Sequence, residues 1–317
     1  MFIAFVRFPD GQLQQFESLD SVMPVLEKAE AVWIDIESPE EEEIQKLGDF
    51  YRLDDEAVED CLGGEQPPRV DEYENCLFII FYGLAGFIRD NELVFHKLTT
   101  FFSHRFLITV HAEPLRTISG MRERCKFHGN QLIGRGTGFL LHSLMDGMVD
   151  RFDEAAEAYE DLVEDLEEAS LDPNCEETVL TGITRLRREL LEFRRVVYSQ
   201  KELLLPLIRG EYNYIDDELE QRFSHVYDHM SRAIGLMDRM REQLHGVLDN
   251  YHSTLAAQTN DVMKVLTIFA AVLLPFTVTG GIYGMNVPLP FMDNPSSFWF
   301  IMGGTALISV TLLTVFH

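Results

Sequence analysis

The sequence predicts an α+β membrane protein with an N-terminal cytoplasmic α/β domain, a long helical stem and two C-terminal transmembrane helices. Three observations carry that reading. Strand-like and helix-like runs alternate through the first 112 residues, and from Gly136 onward apolar residues recur at three- and four-residue steps. Two stretches of nineteen residues, Val265–Tyr283 and Phe298–Phe316, contain no charge. A bilayer core takes about twenty helical residues at 1.5 Å rise each, so either stretch is long enough to cross it. A pair of buried core helices is the competing interpretation, and two such stretches joined by a short Pro-rich connection fit it poorly. The expected segments are 1–135 for the α/β domain, 136–261 for acidic helices and stem, 262–285 for a pore-lining helix, 286–297 for an external loop and 298–317 for the second span.

Taken in order, Phe2–Phe8, Ala31–Ile36, Leu77–Phe87, Leu93–Phe102 and Phe106–His111 are apolar, β-branched or aromatic runs of strand length. Ser18–Glu30, Pro39–Phe50 and Asp54–Cys61 read as helices between them. Pro39 suits a first helical turn, and Glu40 to Glu43 suit the positive end of the helix dipole. The sheet is expected to be largely antiparallel or mixed, with Gly63, Gly64, Pro67 and Pro68 marking a loop. A helix then runs from Gly136 until Leu171-Asp172-Pro173-Asn174 breaks it, and a second spans about Glu176 to Leu205. A third begins near Asp216 and continues into the first uncharged stretch. Unbroken to Tyr283 it has 68 residues and a length of about 100 Å, so it must pack laterally.

Charge is unevenly spread. With 53 Asp plus Glu against 26 Lys plus Arg, the net charge is −27. That excludes nucleic-acid binding, which needs clustered cations, and disfavours anionic headgroups. A hydrophobic content of 46% with 25% charged residues is average for a folded chain. Between Phe152 and Thr184 there is no Lys or Arg, while twelve residues are acidic. Such a run concentrates cations. Arg187, Arg188 and Arg194 are candidates to pair with it.

The common enzyme signatures are missing: there is no P-loop, dinucleotide fingerprint, G-x-S-x-G or H-E-x-x-H. No enzymatic activity is expected. Cys61, Cys76, Cys125 and Cys175 form no C-x-x-C pair and read as reduced structural thiols. The N-terminus lacks a basic region followed by an apolar core, so no signal peptide is expected. His225 and His229 stand at i, i+4 and can present two imidazoles to one metal, although a lone pair of this kind is by default an ordinary solvated helix face. His96, His104 and His111 acquire no role.

The connection between the uncharged stretches carries no Lys or Arg, and Lys264, Arg239 and Arg241 precede the first. By the positive-inside rule both termini are cytoplasmic, in a multi-pass protein of the cell (inner) membrane. The first stretch carries small or polar residues at helical spacing, Thr267, Ala270, Thr277 and Gly281, and that face extends back to Met263, Asn260 and Asp249. Such a stripe avoids lipid by facing copies of itself around a pore, or by close helix packing through Thr279, Gly280 and Gly281. At the far end, Tyr283-Gly284-Met285-Asn286 places neutral oxygens at the negative end of the helix dipole. Those suit a cation that keeps its water, as Mg²⁺ does.

Gly284-Met285-Asn286, in the context Lys264-Val265-Leu266-Thr267-Ile268 to Tyr283, resembles the motif of the CorA-type divalent-cation channels. Trp33-Ile34-Asp35, Pro68-Arg69-Val70-Asp71-Glu72-Tyr73 and Tyr227-Asp228-His229 agree with it. The resemblance covers essentially the whole chain. It implies a homopentamer in a lipid bilayer that passes divalent cations, with Mg²⁺ as permeant and regulatory ion and no permanently bound cofactor. It also implies an outer hydrated-cation site at Asn286, Gly284 and Met285, and an upper pore at Thr277 and Gly281. Leu274, Leu266 and Met263 become an apolar constriction, with Ala270 on the same face and Asn260 and Asp249 toward the cytoplasm. His225 departs from the family pattern, since related chains with a regulatory site often carry Asp there. It becomes a candidate regulatory ligand for a softer metal. No basic residue follows the second span, a second departure. Zn²⁺ transport within the family, and a non-conducting membrane-anchored metal sensor, are the alternatives.

Overall fold

The computed structural model describes residues 1–87, 93–172, 177–285, 287 and 296–316. It divides into two compact units, one of residues 1–166 and 181–245, the other of residues 167–180 and 246–317.

The first unit is built on one seven-stranded sheet. Its strands are β1 (Phe2–Arg7), β2 (Leu13–Phe16), β3 (Ala31–Glu37), β4 (Arg69–Glu72), β5 (Leu77–Phe87), β6 (Leu93–Phe102) and β7 (Phe106–His111), in the spatial order β2-β1-β3-β7-β6-β5-β4. Only β3 and β7 run parallel, Ile34 opposite Ile108, and the other neighbours are antiparallel. The expected mixed sheet is therefore present. Alternation along β3 sets its two faces. Val32, Ile34 and Ile36 join Phe2, Ala4 and Val6 against α1 (Leu19–Leu26), α2 (Glu41–Tyr51) and α3 (Asp55–Leu62). Trp33 and Asp35 point to the other face, where Trp33 stacks on Phe5 at 5.6 Å and α4 (Arg116–Leu132) supplies Arg122.

That second face buries a polar network. Arg122 holds Asp35 through two nitrogens and reaches Glu37 at 3.0 Å. His111 lies 3.4 Å from Asp35, and Thr109 accepts from the Trp33 indole at 3.1 Å while donating to Asp35. A buried carboxylate is tolerable only with such partners. At the far edge, Arg69 of β4 pairs with Asp60 and with Asp71. Burial alone would raise the Asp60 carboxyl, but hydrogen bonds from Gln66 and Arg69 and the charges of Arg69 and Lys97 outweigh it, so the group sits below its ordinary value. The Lys97 ammonium donates to the carbonyls of Asp60, Gly63 and Gly64, clasping the Gly-Pro loop to β6.

Several elements differ from expectation. The strands β2 and β4 and the helix α4 went unforeseen, because LQQF is half polar, RVDE has one apolar residue, and α4 interleaves Ile118, Met121 and Cys125 with charged residues. α2 starts at Glu41, with the Glu40 N–H donating to the Glu43 carboxylate at 3.3 Å, so Pro39 lies before the helix instead of in its first turn. α1 closes at Leu26, four residues short of the expected end.

The long helices appear where the periodicity predicts them: α5 (Thr137–Ser170), α6 (Glu177–Ile208) and α7 (Asp217–Tyr283). α6 continues past Leu205 through Pro206, and Gly210, at φ 63°, follows its end. Within the first unit, Phe152 of α5 and Phe193 of α6 meet edge to face at 6.0 Å, and the Tyr159 hydroxyl donates to Glu189 at 3.0 Å. Arg194 pairs with Asp238 of α7 at 2.8 Å, and Arg188 lies 3.8 Å from Glu192 of its own helix. These two arginines thus do not neutralise the acidic run of α5, as the sequence had suggested. Cys61, Cys76 and Cys125 are free and buried, and burial pushes each thiol up to about 12. Cys175 lies outside the described residues.

In the second unit α7 continues to Tyr283, beside α8 (Ser297–Phe316). Both helices contain segments long and apolar enough to cross a membrane, and the apolar window of α7 is 0% buried. A core helix of a water-soluble protein would be covered; Leu266, Phe269 and Leu274 are 64%, 62% and 63% exposed.

Candidate functional site

The second unit contains every residue that the sequence nominated for an ion path. Asp249, Asn260, Met263, Leu266, Ala270, Leu274, Thr277 and Gly281 all lie on α7. At 100° per residue they occupy one arc of about 120°, and each is exposed. Among the described residues, the hydrogen bonds between α8 and α7 fall outside this arc. The Ser309 hydroxyl of α8 donates to the Val272 carbonyl at 3.1 Å, and Thr305 and Thr279 share a hydrogen bond of 3.1 Å. Val272 and Thr279 are on the opposite side of α7. Thr305 and Ser309 are the two buried residues of α8 among those described, each 4% exposed. The helix pair is therefore joined through hydroxyls, and the nominated face stays open.

That face has a definite polarity. The hydroxyl of Thr277 donates to the Leu273 carbonyl at 3.0 Å, and that of Thr267 donates to the Met263 carbonyl at 2.8 Å. With their protons committed to the backbone, these hydroxyls offer lone pairs outward, which suits the water shell of a cation. At the end of α7 the Gly284 N–H donates to the Gly280 carbonyl at 2.9 Å and that of Met285 to the Ile282 carbonyl at 3.3 Å. A Cβ at 284 would approach the Gly280 oxygen to 2.9 Å, so a side chain there requires the backbone to shift. Asn286, the third member of the nominated triplet, lies outside the described residues, as does most of the expected loop 286–297.

In the first unit, His225 and His229 are both on α7, and His229 belongs to a group of three metal-ligating side chains. It lies with Asp146 and Asp150 of α5, one ligand atom from each being within 4.8 Å of the others. His225 is exposed, one turn earlier. The two aspartates escaped the sequence reading because the acidic run that drew attention begins at Asp153, and neither residue has a motif around it.

Residues 28–317 match the family described as CorA-like Mg2+ transporter protein. The chain belongs to that family. It is a divalent-cation transporter of CorA type and not an enzyme, and the two apolar helices are its candidate membrane spans. A cobalt/magnesium transport protein CorA from Thermotoga maritima is 30% identical over 287 residues, covering 90% of this chain and 82% of the relative. Another CorA protein of that description, from Methanocaldococcus jannaschii, is 26% identical over 289 residues, covering 90% of each chain. A solved structure of CorA magnesium transporter from Methanocaldococcus jannaschii superposes with a TM-score of 0.85 at 24% identity, over 99% of this chain and 96% of that one. The α/β domain, the long helix and the C-terminal apolar helices are thus a CorA fold.

Proposed function

We propose that this CorA-type chain assembles as a homopentamer in the cell (inner) membrane and passes hydrated Mg²⁺ through a pore lined by the open arc of α7. In this reading both termini are cytoplasmic. Residues 1–135 form the α/β domain, 136–261 the acidic helices and stem, 262–285 the pore helix, 286–297 the outer loop and 298–317 the second span. Asn286, with Gly284 and Met285, recognises the hydrated ion at the outer mouth, and Mg²⁺ is substrate. Thr277 and Gly281 line the upper pore. Leu274, Leu266 and Met263 form the constriction, Ala270 shares their face, and Asn260 and Asp249 lie toward the inner mouth. A narrow apolar segment gates by excluding water and ions.

The single observation that carries this reading is the open arc itself. Eight nominated residues share one exposed face of α7, while the hydroxyls of α8 occupy the opposite face. Copies of the chain around an axis give that face a partner other than lipid. The driving force needs no nucleotide, because a dication crossing 100 mV gains about 4.6 kcal/mol. Reconstituted full-length protein should carry Mg²⁺ into potassium-loaded liposomes under an inside-negative potential, and Asn286→Ala should reduce the initial rate at least tenfold. Full flux in that variant sinks the assignment of the outer site, and no flux in wild type sinks the channel.

Intracellular Mg²⁺ would close the ring. His225 weakens that feedback, since imidazole is a poor ligand for Mg²⁺ and a good one for borderline transition metals. Identical Mg²⁺ inhibition midpoints in wild type and His225→Ala would remove His225 from regulation.

A further inference from the structure

Asp146 and Asp150 are one turn apart on α5 and therefore share a face, and His229 of α7 meets them there. The three ligand atoms lie within 4.8 Å of one another. Ligands about 2.0–2.2 Å from a tetrahedral ion are separated by about 3.4 Å, so modest rotamer adjustment closes the set around one metal. Two further observations set this group apart from an acidic surface. The His229 Nδ1 is shut off from solvent and has no hydrogen-bond partner, leaving a buried ring nitrogen unsatisfied. Asp146 and Asp150 enter no ion pair with Lys or Arg among the described residues. Concentrated negative charge beside an unsatisfied imidazole nitrogen is what a bound dication would relieve.

We propose that Asp146, Asp150 and His229 form an intrachain site for a borderline transition dication, Co²⁺, Ni²⁺ or Zn²⁺, that joins α5 to α7. Two carboxylates alone would accept Mg²⁺. The imidazole shifts preference toward metals that bind nitrogen well, in the order Co²⁺ below Ni²⁺, with Zn²⁺ also favoured over Mg²⁺. Water completes the coordination, since Asp150 is exposed. The site is independent of the ion path, because all three ligands belong to the first unit.

The test uses full-length protein in detergent, stripped with chelator and dialysed against Co²⁺ in the presence of a thousandfold excess of Mg²⁺, which occupies carboxylate-only sites. Wild type should retain one Co²⁺ per chain by elemental analysis, and Co²⁺ should raise its Tm. His229→Gln and Asp150→Asn should each weaken retention at least tenfold and abolish the Tm rise, while His245→Gln, an exposed histidine of α7, should match wild type. Circular dichroism of the stripped proteins checks that each variant keeps its helices, and Asp150→Asn carries the test should His229→Gln fail to fold. Displacement of Co²⁺ by the Mg²⁺ excess in wild type overturns the proposal. So does unchanged retention in His229→Gln, or retention that depends on His225 instead.

Discussion

The two units of this chain satisfy their side chains in opposite ways. In the sheet unit the buried Asp35 carboxylate and the aromatic core find partners within the same chain. Asp35 is held by Arg122, Thr109 and His111, and Phe152, Phe193 and Tyr159 fill the space between α5 and α6. In the apolar unit, Leu266, Phe269, Leu273 and Leu274 are each at least 58% exposed, and only two residues of α8 are buried among those described. One unit closes its core within a single chain, leaving a few buried nitrogens such as His229 Nδ1 without partners among the described residues. The other has surfaces that only lipid or further copies can cover, and its nominated ion path is one of those surfaces.

Substitutions can break this contrast, beginning with the largest effect. Asp35→Ala leaves Arg122 charged and buried without its main partner, and should destabilise the sheet unit by about 3–5 kcal/mol. Denaturant unfolding of full-length protein in detergent, followed by Trp33 fluorescence, would report it; a loss below 1 kcal/mol would mean the network is not structural. In the apolar unit the corresponding change is far smaller. Thr305→Val removes one hydrogen bond between α7 and α8 and should cost about 0.6 kcal/mol, seen as a small Tm shift with flux retained. Equal losses from the two substitutions would erase the distinction between the units.

Of comparable size is a pH dependence in the sheet unit. Asp60 has its folded pKa below the ordinary value of 3.8, so the unfolded chain binds the proton first as acid is added. The stabilisation is present above pH 3.8 and is lost as the pH falls through the folded value. Asp60 is partly screened, which limits the contribution to about 1 kcal/mol or less. Asp60→Asn should flatten the wild-type stability profile below pH 4. An unchanged acid slope would show that other carboxylates set it.

Legibility in the sequence followed the strength of the local pattern. α7 was readable from periodicity alone because its buried positions, Phe223, Val226, Met230, Ala233, Met237, Met240 and Leu244, repeat at three- and four-residue intervals. β5, β6 and β7 were readable from their apolar runs. Short edge strands were not, since β4 is Arg-Val-Asp-Glu and owes its place to pairing with β5. The open face of α7 was legible as a stripe, while its relation to α8 depends on Thr279 and Ser309 hydroxyls that no spacing rule identifies. Asp146 and Asp150 could be read as neighbours of each other, but their meeting with His229 links positions some eighty residues apart and comes from helix packing alone.

The hydroxyl attachment of α8 also bears on how freely its sequence can drift. A helix seated by interlocking apolar side chains constrains many positions at once, whereas α8 is held to its neighbour at Thr305 and Ser309, one turn apart. In a single chain the remaining described positions answer mainly to the solvent around them. Mutational tolerance across Ser297–Phe316 should therefore be broad for any apolar replacement and narrow at two sites.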